Sequence, residues 1–412
     1  MFSYLDNSLY CEQVALADIA KGAGTPCYVY SGGSILENFR AYDEGLGDTP
    51  HMVCYAVKAN GSLGILALLA RAGAGFDIVS GGELYRVLEA GGEASRVVFS
   101  GVGKTAEEID YALAKGIHGF NCESEPELAL IDALAARRGV RTAFALRVNP
   151  DVNAQTHPYI STGLREHKFG IDIHEAEAVY DRARALGNLQ ARGVSCHIGS
   201  QLLDVNPIFE ALDKVIALIE RLRKAGHAIT HLDLGGGLGV AYREGDEPPQ
   251  IRAFMDCVGK RVEGRGLEVM VEPGRSIVGP AGMLLTRVLY RKRNVNKEFV
   301  VVDAAMNDLI RPALYRSHHD ILAVRKTERP EIVADVVGPV CETGDFLARD
   351  RKLADAAPGD VLAVATAGAY GFVQASNYNA RRRAPEVLVE GNKWRVIRDR
   401  EKYEDLVRGE RA

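Results

Sequence analysis

Between His51 and Glu272 short apolar runs, rich in β-branched and aromatic residues, alternate with stretches in which apolar side chains return with the helical period. The runs are His51 to Lys58, Phe76 to Val79, Arg96 to Ser100, His118 to Cys122, Thr142 to Val148, Gly193 to Ile198, His231 to Leu234 and Leu267 to Glu272. Helix-period stretches separate them at Ser62 to Ala72, Gly82 to Ala90, Thr105 to Lys115, Glu125 to Arg138, His174 to Leu186, Pro207 to Ala225 and Ile251 to Glu263. Apolar runs of strand length, each followed by an amphipathic helix, are parallel βα units, and eight of them predict a (β/α)8 barrel of the TIM type.

After Arg275 the long helical stretches stop. Strand-like segments follow at Leu284 to Lys292, Glu298 to Asp303, Glu331 to Val337, Val361 to Ala365 and Glu386 to Glu390, which predicts a mainly antiparallel β domain. The division expected is a barrel over 31–275, with 1–30 and 276–412 forming the β domain. In that reading the segment Cys27-Tyr28-Val29-Tyr30 joins the second sheet.

The chain of 412 residues carries 50 Lys and Arg against 55 Asp and Glu, a net charge of -5, so no broad basic field exists to draw nucleic acid or anionic lipid. The first residues lack the apolar core of a secretory signal, and each long apolar stretch meets a charge or glycine before it could span a bilayer. Seven cysteines, scattered without the short paired spacings of metal sites or disulfide frameworks, predict a reducing cytoplasm and no metal.

Barrel enzymes carry their chemistry at the carboxyl ends of the strands, and four features fall there. Lys58 ends the first run, His197 the sixth and Glu272 the eighth, while Gly235-Gly236-Gly237 follows the seventh. A lysine is ordinarily a solvated surface charge, yet Lys58 follows Val53-Cys54-Tyr55-Ala56-Val57, where an amine can form a Schiff base with an aldehyde cofactor. Glu272 alone reads as an ion pair or a cap, and His197 alone as a core histidine. The glycine run lacks a dinucleotide fingerprint, because Val240 stands where its last glycine belongs. It suits instead a phosphate cradle, together with the Glu272-Pro273-Gly274-Arg275 turn in the next loop.

These residues, with Tyr55-Ala56-Val57-Lys58-Ala59-Asn60, Ser161 to Gly170, His197-Ile198-Gly199-Ser200-Gln201, Met306 to Tyr315, Gly338 to Asp345 and Gly368-Ala369-Tyr370-Gly371, resemble the fold-type III pyridoxal-phosphate decarboxylases, whose barrel is like that of alanine racemase. The likeness covers nearly the whole chain. It departs at Ala305, where the family has glycine, a position with no assigned role.

The resemblance implies pyridoxal 5'-phosphate as cofactor. Lys58 would hold it covalently, Glu272 would keep its ring nitrogen protonated, and His197 would stack on the ring. Ser200, Gly236, Gly237, Pro273, Gly274, Arg275 and Tyr370 would line the phosphate and its surroundings. Cys341, whose bland reading is a small buried hydrophobe, would be the acid that protonates the carbanion. The resemblance also implies a homodimer with active sites shared between subunits.

Within the family the segments are most like those of members acting on meso-2,6-diaminopimelate. That substrate ends in an ammonium together with a carboxylate. Arg275, Arg311, Tyr315 and Tyr370 would meet the carboxylate and Glu342 the ammonium. The implied reaction is decarboxylation at the D centre to give L-lysine, the last step of lysine biosynthesis. The rivals are another amino acid on the same scaffold (ornithine, arginine or carboxynorspermidine) and an inactive homologue that only binds a partner, which the joint presence of Lys58, Glu272 and Cys341 disfavours. The sequence assigns no role to Asp77 or Arg147, polar residues within barrel strands.

Overall fold

The eight apolar runs become eight parallel strands of a closed barrel in the computed structural model, which describes residues 1–152 and 168–412. In chain order they are His51–Ala56, Gly75–Ile78, Val97–Phe99, Gly119–Cys122, Thr142–Asn149, Leu189–Cys196, His231–Asp233 and Glu268–Val271. Each pairs in parallel with its neighbours, and the eighth closes on the first through Val269 opposite His51 and Val271 opposite Val53. Strands buried on both faces read as continuous apolar runs, and the first strand is buried from Met52 onward.

The crossover helices follow the expected order, ending within a few residues of the periodic stretches. Polar caps fix several starts: Ser80 accepts from the Glu83 amide, Ser124 from the Glu127 amide, and Thr105 forms a reciprocal capping box with Glu108. These caps stand in the loops that leave the barrel strands, so the elements that orient the helices also shape the rim that carries the chemistry.

The chain divides into two compact units: 38–240 with 247–276, which is the barrel, and 1–37 with 241–246 and 277–412. The second unit is built on the long strand Gly282–Asn294. Its first half pairs antiparallel with Cys27–Ser31 and with Val361–Val364, and its second half with Lys297–Val302. Parallel pairings of Cys27–Ser31 with Glu386–Glu390 and of Lys297–Val302 with Glu331–Val337 make the sheet mixed, though mainly antiparallel. Its core gathers Leu9, Leu16, Ile19, Cys27, Val29, Met283, Leu285 and Val387.

Several strands in this unit carry no plain apolar run. Phe2–Leu5 and Ser8–Cys11 form a hairpin whose two turn residues, Asp6 and Asn7, have φ of 46° and 63°. Left-handed Asp-Asn is the chemistry of a tight hairpin turn, a readable signal that the apolar pattern alone overlooks. The strand Phe346–Ala354 is also absent from the apolar pattern, because the charged run Arg349, Asp350, Arg351 and Lys352 interrupts it, with Arg351 half-buried and the other three exposed. No helix among the described residues is long and apolar enough to cross a membrane.

Candidate active site

The first strand stops at Ala56, and Lys58 lies in a single 3-10 turn, Val57–Ala59, rather than on the strand itself. The turn is held from both sides. The Ala56 amide donates to Pro273 O at 3.0 Å, and the Tyr55 hydroxyl donates to Asn60 O at 2.9 Å. Lys58 Nζ donates to Asp77 Oδ2 at 2.5 Å, and the Asp77 side chain is fully buried while that of Lys58 is 38% exposed. The lysine is therefore tethered at the barrel mouth without being sealed in it.

The loops after strands six, seven and eight are stitched into one floor. The Glu272 amide donates to Gly235 O at 2.8 Å, the Gly236 amide to His197 Nδ1 at 3.3 Å, and Gln201 exchanges hydrogen bonds with the backbone of Val240. Glycine is required here for two reasons. Gly235 and Gly237 have φ of 67° and 123°, and a Cβ at Gly236 would lie 2.4 Å from Glu272 O. Without side chains this backbone can be approached closely by an anion, while the amides of Gly235 and Gly236 themselves donate to Asp233 Oδ1 and His197 Nδ1. Arg275 Nη2 donates to Ser200 Oγ at 3.0 Å, so the expected phosphate residues of loops six and eight are in contact.

Burial sets the electrostatics. Removal from water lowers the His197 pKa to about 3, helped by the nearby charges of Arg147 and Lys58, so the ring is neutral and accepts the Gly236 amide at Nδ1. Removal from water also pushes the Glu272 carboxyl well above the usual range, and the carboxylates of Asp233 and Asp77 push it further. Glu272 is neither a surface ion pair nor a cap. Its Oε1 accepts from Asn121 Nδ2 at 3.0 Å and from Ser100 Oγ at 3.1 Å, and its carboxyl is hydrogen-bonded to that of Asp233.

The structure therefore brings together Lys58, His197, Ser200, Gly236, Gly237, Glu272, Pro273, Gly274 and Arg275 on one end of the barrel. Arg311, Tyr315, Cys341, Glu342 and Tyr370 belong to the other unit. There Arg311 is buried rather than a surface ion pair. It donates to His319 Nε2 at 3.3 Å and to Ser317 Oγ at 3.3 Å, and lies over the rings of Tyr242 and Tyr315. Cys341 is exposed rather than buried, its amide donating to Asn379 Oδ1 at 2.9 Å, and Glu342 pairs with the Tyr378 phenol. Tyr370 sits in the left-handed region with φ of 56°.

Reading the sequence misses Ser100, Asn121 and Asp233, which surround Glu272, and leaves Asp77 and Arg147 open. The structure pairs Asp77 with Lys58 and Arg147 with buried Glu123, 2.9 Å apart. The available signal is a lone polar residue inside an apolar strand, as in Phe76-Asp77-Ile78, Phe120-Asn121-Cys122 and Leu232-Asp233-Leu234. Ser161 to His167, part of one segment that carries the family resemblance, lie outside the described residues.

The model of the pyridoxal-dependent decarboxylases, pyridoxal binding domain, matches residues 32–279. The diaminopimelate decarboxylase of Pseudomonas aeruginosa is 56% identical over 409 residues, covering 99% of this chain and 98% of its own length. That of Vibrio cholerae is 52% identical over 402 residues, covering 97% and 96%. The crystal structure of the Helicobacter pylori diaminopimelate decarboxylase complexed with L-lysine is 43% identical and superposes with a TM-score of 0.92, covering 95% of this chain and 98% of that one. A barrel whose mouth joins a tethered lysine, a half-buried glutamate and a glycine cradle, in a chain this similar over its full length, belongs to the diaminopimelate decarboxylase family of pyridoxal-dependent decarboxylases.

Proposed function

We propose that the protein removes the carboxylate at the D centre of meso-2,6-diaminopimelate, giving L-lysine and carbon dioxide with pyridoxal 5'-phosphate as cofactor. The observation that carries this reading is the convergence of Lys58, His197, the glycine cradle and Glu272 at one barrel end. The residues present fit the cofactor: an amine beside a buried carboxylate, a neutral flat ring, a glycine backbone free of side chains for a phosphate, and a half-buried acid for a ring nitrogen.

Pyridoxal phosphate, when bound, supplies an electron sink for the carbanion left as carbon dioxide departs. Lys58 is the amine that would hold it, with Asp77 fixing Nζ in place. Glu272 would face the ring nitrogen and His197 the ring face. Ser200, Gly236, Gly237, Gly274 and Arg275 would donate to the phosphate, Pro273 would hold the turn that presents them, and Tyr370 would add its phenol.

In the second unit, Cys341 would place a proton on the carbanion carbon. Arg311, Tyr315, Tyr370 and Arg275 would receive the distal carboxylate, and Glu342 the distal ammonium. We place these residues in a homodimer whose sites are shared between subunits, working in a reducing cytoplasm as the last step of lysine biosynthesis. Support for the compartment comes from the seven free cysteines.

A panel of amino acids offered to the purified protein with pyridoxal phosphate, with released carbon dioxide measured, tests the substrate. A site built for a polar terminus rejects analogues lacking it by about four to five powers of ten. Ornithine and lysine are therefore expected to turn over poorly, and turnover comparable to that of diaminopimelate on either overturns the assignment. Mixing inactive Lys58→Ala and Cys341→Ala subunits tests the sharing: activity returns if sites are shared, and stays lost if each subunit is self-sufficient.

A further inference from the structure

We propose that Asp233 is a positioning residue for the cofactor's ring nitrogen, sharing with Glu272 a single proton that Glu272 passes to that nitrogen when the cofactor binds. The inference rests on the reading that this barrel holds pyridoxal phosphate, and adds to it a residue one layer below the mouth.

The geometry is that of two acids confined around one amide. Asn121 Nδ2 lies 2.8 Å from Asp233 Oδ2 and 3.0 Å from Glu272 Oε1, and also reaches Ser100 Oγ at 3.1 Å. The Gly235 amide donates to Asp233 Oδ1 at 2.9 Å. Asp233 is 2% exposed, and its carboxyl is in direct hydrogen bond with that of Glu272. Two ionised carboxylates at that distance repel strongly in a medium of low dielectric, so the pair retains one proton between them. Both acids are pushed upward by burial.

Among the other groups facing the pair, the charge of Lys58 opposes the rise at Glu272, but the carboxylate of Asp77 outweighs it. Lys58 gives its hydrogen bond to Asp77, itself a carboxylate, and the thiols of Cys54 and Cys196 are both pushed upward by burial, Cys196 to about 12. A basic ring nitrogen arriving at Glu272 meets an acid already poised to donate. The Glu272 O–H bond breaks and an N–H bond forms. The carboxyl pair goes from one negative charge to two, while the nitrogen goes from neutral to one positive charge, so no co-reactant is needed. Asp233 then contributes the second negative charge that keeps the proton on nitrogen. The fixed donors Asn121, Ser100 and the Gly235 amide hold both carboxylates in place.

The test uses the full chain loaded with pyridoxal phosphate labelled with 15N in the ring, in wild type and Asp233→Asn. Asparagine keeps the shape and can still bond Glu272, but carries no charge. Wild type is expected to show the nitrogen shift of a protonated ring across neutral and mildly alkaline pH. In D233N the nitrogen should release its proton at a pH at least one unit lower, about a tenfold loss of proton affinity, with kcat falling by about tenfold and KM changing less. A nitrogen titration in D233N identical to wild type overturns the proposal while leaving the cofactor assignment intact.

Absence of any bound label in wild type overturns the cofactor assignment instead, and this inference with it. Should D233N fail to fold, wild type alone decides. Infrared difference spectra on adding cofactor at neutral pH should show loss of a protonated-carboxyl band that Glu272→Gln lacks from the start. No such band in cofactor-free wild type overturns the shared proton.

Discussion

The two ends of the barrel each carry histidine beside carboxylate, and burial separates what the two groups do. At the carboxyl end of the strands Asp233 and Asp77 are buried and His197 and Glu272 partly so, and the protonation of His197, Glu272 and Asp233 departs from that of the free side chains. At the amino end, His231 Nε2 meets Glu268 Oε2 at 3.0 Å with the glutamate side chain 36% exposed, and His118 stacks edge-on against His231. There the contact lowers the Glu268 pKa through its hydrogen bond with His231, as an ion pair should. One end stabilises charge where it falls, while the other holds acids and a base away from their preferred charge. Chemistry requires the second condition, and barrels locate it at the strand ends from which the longer loops emerge.

The sharpest way to break that contrast is Lys58→Ala. If the mouth is the reactive end, carbon dioxide release should fall by at least about a thousandfold, because the covalent route is removed outright. Glu272→Gln should cost less, about 10²-fold in kcat, since an amide can still bond the ring nitrogen but carries no charge to stabilise a proton on it. Retention of more than half the wild-type kcat in either variant would show that the buried cluster is a structural core.

Acid unfolding sharpens the contrast further. His197 has a folded pKa of about 3 against 6.5 for the free group, so the folded state favours the neutral ring. Its contribution to stability is fully present above pH 6.5 and is lost as the pH falls toward 3, a span worth up to roughly 5 kcal/mol. His197→Gln should flatten that limb of the melting temperature against pH. A limb as steep in the variant as in wild type would place the acid sensitivity elsewhere. Glu272 works in the opposite direction: its stabilisation is greatest at low pH and is lost as the pH rises through its elevated folded value.

How much of this was legible depends on what each residue needed from its neighbours. The barrel strands announce themselves because both their faces are buried, so the composition of each run suffices. Lys58 and Glu272 are legible as charges ending apolar runs. Asp233 and Asn121 are not, because a single polar residue inside a short strand gains meaning only when the closed barrel turns strands four, seven and eight toward a common lumen. The pairing of Asp77 with Lys58 is hidden in the same way, since it depends on two adjacent strand ends meeting across the rim. In the second unit, the interior of Arg311 is set by Tyr242, His319 and Tyr315, contacts that sequence spacing does not bring together.

The smallest expected effect lies at the amino end, and it tests the contrast from its quiet side. Glu268→Gln removes an ion pair whose acid is more than a third exposed, so the loss of stability should be under about 1 kcal/mol. Its sign with pH is opposite to that of Glu272. A carboxyl held below its usual range contributes stability above its free value of 4.5, and that contribution fades as the pH falls through the folded value. Wild type and Glu268→Gln should therefore converge in melting temperature at strongly acid pH and differ slightly at neutral pH, with kcat unchanged within about twofold. A tenfold drop in kcat would couple the base of the barrel to its mouth, because both ends line one continuous stack of inward side chains through His231 and Asp233 on the same strand. The division between a structural end and a reactive end would then fail.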